Sequence, residues 1–413
     1  MKVEQASKIE EPVLKAPGRH RELNRLWWIV LVAFSVAAAI LAILQIFHLK
    51  PFGFFLIETG YLYCLIAFYT GIVFIIFPAH KSEPRDKIPV RDFILFALLV
   101  GISFYFASRA LDIVEQGWEF LAPTYIMVMG VVAWFLIIEA VRRTAGMVLA
   151  MVCLFFSLYP LFANYMPGFL EGVPYSFADT ARYHALSCES LLGIPMKVVG
   201  KLLVGFMLFG VALQHTGGAK FFLDLASSLV GFTRGGPAKI AVIASGLFGS
   251  MSGSVISNVI TTGAVTIPAM KKIGYEPHYA GAIEACASTG GTLMPPIMGA
   301  AAFIMASLLD IRYLIIAASA AIPSILYYSG LLVQVDAHAA RTGLKGLPKE
   351  ECPPLLKTLK EGWFYIFAFA ALIYFLVVLW NEAQAPFYAM AILIACAMVR
   401  KETRFTWHSF LEF

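Results

Sequence analysis

Long apolar runs alternate with short polar loops along almost the whole chain. A helix that crosses a bilayer needs about 20 consecutive apolar residues. Ten runs approach or exceed this length: 27–47, 54–78, 93–111, 120–141, 146–165, 195–214, 278–309, 312–335, 363–380 and 384–399. The pattern predicts an all-α polytopic membrane protein with about ten transmembrane helices.

The composition agrees with this prediction and excludes several other classes of protein. Of the 413 residues, 60% are hydrophobic and 14% are charged, whereas about a quarter of a soluble domain is charged. The net charge of +5 comes from basic residues between apolar runs, without the stacking aromatics of a nucleic-acid site. Neither a catalytic or nucleotide-binding motif nor a metal-binding cysteine spacing occurs, so we predict neither an enzyme nor a cofactor.

The distribution of Lys and Arg indicates which loops are cytoplasmic. Segment 1–26, the loops 79–92 and 336–362, and the pair Arg142-Arg143 are basic, whereas the alternate loops are acidic or poor in basic residues. No small-residue cleavage site follows the first apolar run, so we expect it to remain as a membrane anchor with the N-terminus in the cytoplasm.

Residues 240–270 contain no charged side chain, yet their middle is rich in Ser, Thr, Gly and Asn. Basic residues flank the stretch on both sides. A single crossing would invert every later loop, and two crossings would need about 40 residues. We therefore predict a re-entrant hairpin over 238–270 that turns near Ser252–Asn258. Polar backbone survives at membrane depth only where protein or a water-filled cavity satisfies it, which indicates a solute or ion site.

A second interruption lies in the run 278–309, at Thr289–Thr292 and Pro295-Pro296. Proline lacks a backbone N–H and glycine tolerates unusual dihedral angles, so we expect a broken helix with unpaired carbonyls around Ser288–Thr292. Two plainer alternatives remain open, namely close packing by the small residues of the hairpin and a proline kink without a ligand.

Glu284 precedes this interruption by about one helical turn. A carboxylate inside the membrane can carry a proton or pair with a cation. The alternative, which we favour from the sequence, places Glu284 at the cytoplasmic interface beside a nearby base.

Three motifs resemble those of the large membrane subunit of TRAP transporters, which are secondary transporters that depend on a periplasmic binding protein. They are RGGPAK before the hairpin, SGSVISNVITTGAVTIPAMKKIGY through it, and STGGTLMPPIMGAAAF in the broken helix. The first 140 or so residues resemble the small subunit, fused here to the large one. The whole arrangement is most similar to fused permeases that work with TAXI-type binding proteins.

The resemblance implies an elevator-type ion transporter fold, in which a transport domain carries substrate and cations past a scaffold. The predicted cation ligands are Ser252, Gly253, Ser254, Asn258, Thr289 and Gly290. The predicted substrate contacts are Ser257, Thr261, Thr262, Ser288, Gly291, Pro295 and Pro296. Neutral oxygens at the hairpin tip favour co-transported Na⁺, whereas a buried Glu284 would favour H⁺.

The function implied is cation-coupled uptake of an organic anion, such as a carboxylate, by a multi-pass permease of the cell inner membrane. Its expected partners are a periplasmic TAXI-type substrate-binding protein, the organic-anion substrate and membrane lipid, with no nucleic acid.

Six segments are predicted: a cytoplasmic N-terminal segment 1–26, a four-helix scaffold 27–142, a connecting helix and external loop 143–192, a first repeat 193–336, a cytoplasmic loop 337–362, and two further helices with a truncated C-terminus 363–413.

The family builds its core from two inverted repeats, each a hairpin plus a broken helix. Residues 310–413 contain no second pair interrupted by Gly, Ser and Thr. We therefore expect the chain to be a fragment of a longer permease. The alternative is a split subunit, or a non-transporting scaffold, that needs a partner for the second half of the site.

Overall fold

A computed structural model describes residues 20–53, 55–80, 82–378 and 380–399. The outer part of the predicted N-terminal segment and the end of the predicted C-terminal segment, residues 1–19 and 400–413, lie outside the described residues. Every regular element of the described part is helical, so the all-α prediction is confirmed. Seven helical stretches of the described part are long and apolar enough to cross a membrane, and two of them, Glu58–Ile76 and Ile194–His215, contain a π-helical turn. Shorter apolar helices occupy Met147–Leu161 and Ala385–Met398.

The chain forms two compact units, Met1–Lys197 and Val198–Phe413. In the first unit, α2 continues through a π-helical turn at Ile66–Thr70 into α3. The helices that lie within this unit are α1 (Arg25–Ile46), α2 (Glu58–Leu65), α3 (Val73–Ile76), α4 (Val90–Ser108), α5 (Ala110–Glu115), α6 (Thr124–Ala145), α7 (Met147–Leu158) and α8 (Phe177–Leu186).

A buried ion-pair network holds the first unit together. The carboxylate of Asp92, in the first turn of α4, is fully buried. It accepts hydrogen bonds from Arg21 Nη2 at 2.5 Å and from Arg143 Nη2 at 2.8 Å. Glu83 also pairs with Arg21 at 3.0 Å, and Glu139 also pairs with Arg143 at 2.8 Å. Basic residues that indicated a cytoplasmic side therefore also join the N-terminal segment, α4 and α6.

The second unit contains the predicted hairpin and broken helix. A π-helical turn at Val199–Leu203 joins α9 to α10. The helices from the unit boundary onward are α9 (Ile194–Val198), α10 (Val204–His215), α11 (Gly218–Val230), α12 (Gly236–Ser252), α13 (Val255–Lys272), α14 (Pro277–Gly291), α15 (Ala300–Leu308), α16 (Tyr313–Thr342), α17 (Leu355–Val377) and α18 (Ala385–Met398).

The predicted hairpin is present as two antiparallel helices, α12 and α13, joined by a two-residue turn. Helix α12 ends where Gly253 adopts a left-handed conformation with φ of +62°, which glycine adopts without steric cost. The side chain of Ser254 then caps α13 by accepting a hydrogen bond from the backbone N–H of Ser257. The helix–turn–helix part of the prediction is confirmed, and the re-entrant path through a membrane stays a prediction.

The predicted broken helix is also present, but its break lies a few residues later than expected. Helix α14 continues to Gly291, and the chain is irregular over 292–299 before α15 begins. The expectation of unpaired carbonyls is wrong for Thr289, Gly290 and Gly291, because each accepts a hydrogen bond from the third residue onward. Glycines fit within a helix, whereas Pro295-Pro296 cannot continue one because both residues lack an N–H.

Replacing Asp92 by Asn should destabilise the first unit by about 3–5 kcal/mol, because two buried guanidinium groups would lose their shared counter-charge. Denaturant titration in detergent micelles measures this change. The matched control is Asp86→Asn on the neighbouring exposed loop, which should change the free energy of unfolding by less than about 0.5 kcal/mol. Equal effects of the two substitutions would contradict a structural role for the network.

Candidate ion and substrate site

The hairpin tip touches the break in the α14–α15 helix. The backbone N–H of Ile297 donates to the carbonyl of Ser250 at 3.1 Å. A Cβ added to Gly253 would lie 2.4 Å from the carbonyl oxygen of Met298, so only glycine fits this contact. Tyr313 of α16 donates through its hydroxyl to the carbonyl of Pro296 at 2.7 Å. Two interrupted segments, far apart in sequence, are thus held against each other.

The helices α12 and α14 cross at two glycines. A Cβ on Gly249 would lie 2.7 Å from Cα of Gly291 and 2.6 Å from Nδ2 of Asn258. This spacing leaves no room for a larger side chain at either glycine. Small residues here therefore allow close helix packing, as the plainer alternative from the sequence proposed.

Asn258 is fully buried and joins the two arms of the hairpin. Its Nδ2 donates to the carbonyl of Ser245 on α12 at 2.8 Å, and its Oδ1 lies 3.3 Å from the hydroxyl of Thr262. The amide therefore fixes the geometry of the tip from within the hairpin. It is a predicted cation ligand whose side chain is already engaged in this conformation.

Glu284 lies at the centre of the second unit with no exposed surface. The hydroxyls of Ser245 and Thr262 donate to its Oε1 at 2.9 and 2.5 Å. The hydroxyl of Thr266 donates to Oε2 at 2.5 Å, and that of Ser288 to Oε1 at 3.2 Å. The favoured sequence interpretation, an interfacial Glu284 paired with a base, is wrong because its hydrogen-bond partners are hydroxyls from α12, α13 and α14.

The six predicted cation ligands occupy two different environments. Ser252 lies at the tip, and its hydroxyl oxygen is buried without a hydrogen-bond partner in the described part of the chain. Gly253 and Ser254 form the turn itself. By contrast, Thr289 is exposed and donates to a carbonyl of its own helix, while Gly290 packs against the aromatic ring of a tyrosine on α16.

The predicted substrate contacts differ in burial. Ser257 and Pro295 are half-buried near the tip and the break. Thr261 is half-buried too, and its hydroxyl accepts a hydrogen bond from Gln214 of α10 at 3.1 Å. The buried members of the set, of which the first two bond to the Glu284 carboxylate, are Thr262, Ser288, Gly291 and Pro296.

The structure brings to this centre three residues that the sequence motifs did not predict. Ser245, Thr266 and Tyr313 were outside both predicted sets. For Thr266 a signal was available, because Asn258, Thr262 and Thr266 recur every four residues and so share one face of a helix. Ser245 and Tyr313 are recognisable only once the pairing of the helices is known.

The comparisons with known proteins agree with these motifs. The model of the family "Tripartite ATP-independent periplasmic transporter, DctM component" matches residues 132–413. The C4-dicarboxylate TRAP transporter large permease protein DctM of Pseudomonas aeruginosa is 32% identical over 149 residues, which cover 36% of this chain and 34% of that protein. The sialic acid TRAP transporter large permease protein SiaM of Vibrio cholerae is 30% identical over 158 residues, covering 38% and 36%.

These matches span about a third of the length of the curated relatives. The family match is longer, covers more than half of the chain, and includes the hairpin and the broken helix. The chain belongs to the DctM component family of tripartite ATP-independent periplasmic transporters.

Proposed function

We propose that this chain is the membrane permease part of a binding-protein-dependent secondary transporter that takes up an organic anion together with a cation. It acts in the cell inner membrane with its N-terminus in the cytoplasm. The first unit serves as a scaffold like the small TRAP subunit, and the hairpin and broken helix move with the substrate as an elevator. A periplasmic binding protein of the TAXI type delivers the substrate.

The observation that carries this proposal is the contact between the hairpin tip and the helix break. Irregular backbone is tolerated at membrane depth where it lines a binding site. At the tip, the unpartnered hydroxyl oxygen of Ser252 is a hard, neutral ligand of the kind that small cations prefer. An apolar packing contact would not need a buried hydroxyl without a partner, because such a group costs free energy.

Charge also favours an anionic substrate at this place. Helix α13 begins at the tip and is 18 residues long, so the positive end of its dipole faces the turn. Its last turn carries Lys271 and Lys272 at the opposite end. Both named relatives are transporters of carboxylic acids, C4-dicarboxylates and sialic acid. These features together support a carboxylate as the substrate class.

Replacing Asn258 by Ala in the protein expressed with its complete reading frame should weaken the dependence of uptake on Na⁺ at least ten-fold. The substitution removes the amide that sets the tip geometry, while membrane insertion should stay near normal. Uptake of a labelled dicarboxylate at graded Na⁺ concentrations measures the change. Ser228→Ala, which removes a hydroxyl bonded only within α11, is the control, and an unaltered Na⁺ dependence for Asn258→Ala would contradict a cation site at the tip.

Replacing Gly249 by Ala should cost about 1–3 kcal/mol of stability, because the added methyl group overpacks the crossing of α12 and α14. The matched control is Gly281→Ala on α14, where a Cβ meets no atom within 4 Å. That control should be neutral or gain up to about 1 kcal/mol from better helix propensity. Thermal unfolding of the two purified variants measures both changes in stability. A Gly249→Ala protein as stable as the parent would refute the close crossing.

A further inference from the structure

The carboxylate of Glu284 makes no hydrogen bond to the tip or to the break, and it is the one fully buried acidic group among the described residues of the second unit. Its side chain has no exposed surface. Within the described ranges, no Lys, Arg or His lies within ion-pair distance of it, since every partner is an uncharged hydroxyl. An ionised carboxylate buried without a counter-charge is costly unless hydrogen bonds compensate for it. The four hydroxyls therefore have to compensate for the missing counter-charge whenever Glu284 is ionised.

The hydroxyls can satisfy both protonation states of the carboxyl group. When Glu284 is ionised, Thr266 and Thr262 donate to it, each at 2.5 Å. Each threonine also has a backbone acceptor in reach, since Thr266 Oγ1 lies 3.1 Å from the carbonyl of Thr262 and Thr262 Oγ1 lies 2.8 Å from that of Asn258. When Glu284 is protonated, its O–H donates to Thr266 Oγ1, whose own proton turns to the carbonyl of Thr262. No heavy atom has to move.

The distances favour a proton over a metal ion at this position. A bound Ca²⁺ holds its oxygen ligands at about 2.3–2.6 Å, which separates neighbouring ligands by roughly 3.3–3.6 Å. The contacts from Ser245, Thr262 and Thr266 to Glu284 are 2.5–2.9 Å. These are direct hydrogen-bond lengths between the hydroxyls and the carboxylate.

The other titratable groups on the helices around Glu284 form no ion pair or side-chain hydrogen bond with its carboxylate in the described part of the chain. Tyr328 and Tyr327 of α16 donate through their hydroxyls to the carbonyls of Ala287 and Cys286, each at 2.8 Å. The remaining titratable groups on α12, α13, α14 and α16, together with the N-cap residue of α14, are Lys239, Lys271, Lys272, Glu276, His278, Tyr279, Cys286, Tyr313, Asp336, His338 and Arg341. Lys239 is paired with Asp336, and His278 with Glu276.

We propose that Glu284 is a proton-binding site and that the proton it takes up from water is carried as a second coupling ion. This inference rests on the proposed transport function. Uptake forms one O–H bond on the carboxylate and neutralises it, and release reverses that step. A neutral carboxyl can cross with the moving helices without moving charge through the membrane potential, whereas a carboxylate would move one negative charge. Asn258 links this site to the tip, because Thr262 contacts both Asn258 and Glu284.

Glu284→Gln tests the proposal in the protein expressed with its complete reading frame and reconstituted into liposomes with its binding protein. An inward proton gradient should accelerate uptake by the parent protein. In the variant, the acceleration of uptake by the proton gradient should be at least ten-fold smaller than in the parent, while the response of uptake to Na⁺ should be unchanged. Glu276→Gln is the matched control, since that carboxylate lies just before α14 with 71% of its side chain exposed, and it should behave like the parent. A full proton response in Glu284→Gln would overturn the proposal.

A spectroscopic titration covers the case in which Glu284→Gln does not fold or the parent protein does not transport. Infrared difference spectra of the parent should show the C=O band of a protonated carboxyl growing on acidification. Thr266→Val, which removes one donor to the carboxylate but keeps the side-chain volume, should shift the frequency of that band, because the carboxyl group loses a hydrogen-bond partner. If no such band appears over the pH range in which the protein stays folded, or if Thr266→Val leaves its frequency unchanged, the proton site is refuted. Absent uptake by the parent would instead refute the proposed transport function.

Discussion

Hydrogen bonds from four hydroxyls to one buried carboxylate organise the second unit. Glu284 on α14 binds a hydroxyl of α12, two of α13 and one of its own helix. Because these donors come from both arms of the hairpin, the arms and the first half of the broken helix are joined at one point. The glycine crossing of α12 and α14 and the contact of the tip with the break both depend on this joint, since each requires the three helices to keep their register.

The polar character of the hairpin therefore has two physical origins. Ser245, Thr262 and Thr266 are polar because an internal carboxylate needs donors, and a buried acceptor without them would cost free energy. Ser252 is different, because its buried hydroxyl has no partner among the described residues. The first group holds an internal carboxylate in place, and the second is the hydroxyl that we propose as a cation ligand at the tip. The polar residues of this otherwise apolar stretch thus separate into hydroxyls that bond an internal carboxylate and one hydroxyl that we propose as a ligand.

Much of this architecture follows from the sequence alone. The apolar runs, the charge distribution and the hairpin over 238–270 could be predicted, because they depend only on local composition and on the known thickness of a bilayer. The break in the α14–α15 helix was also visible, although prolines rather than glycines determine where it lies. The environment of Glu284 was not visible, because a carboxylate near a helix end looks interfacial until the pairing of α12, α13 and α14 is known. The hydroxyls that bond it lie 18 to 39 residues away along the chain for Ser245, Thr262 and Thr266.

We propose above all that this site couples an ion gradient to the movement of an organic anion. The most direct test is uptake of a labelled dicarboxylate into liposomes that contain the protein expressed with its complete reading frame, with its binding protein outside and no ATP on either side. We expect uptake only when an inward Na⁺ or proton gradient is imposed and the binding protein is present. Uptake that requires ATP, or that is unaffected by collapsing both gradients, would contradict it.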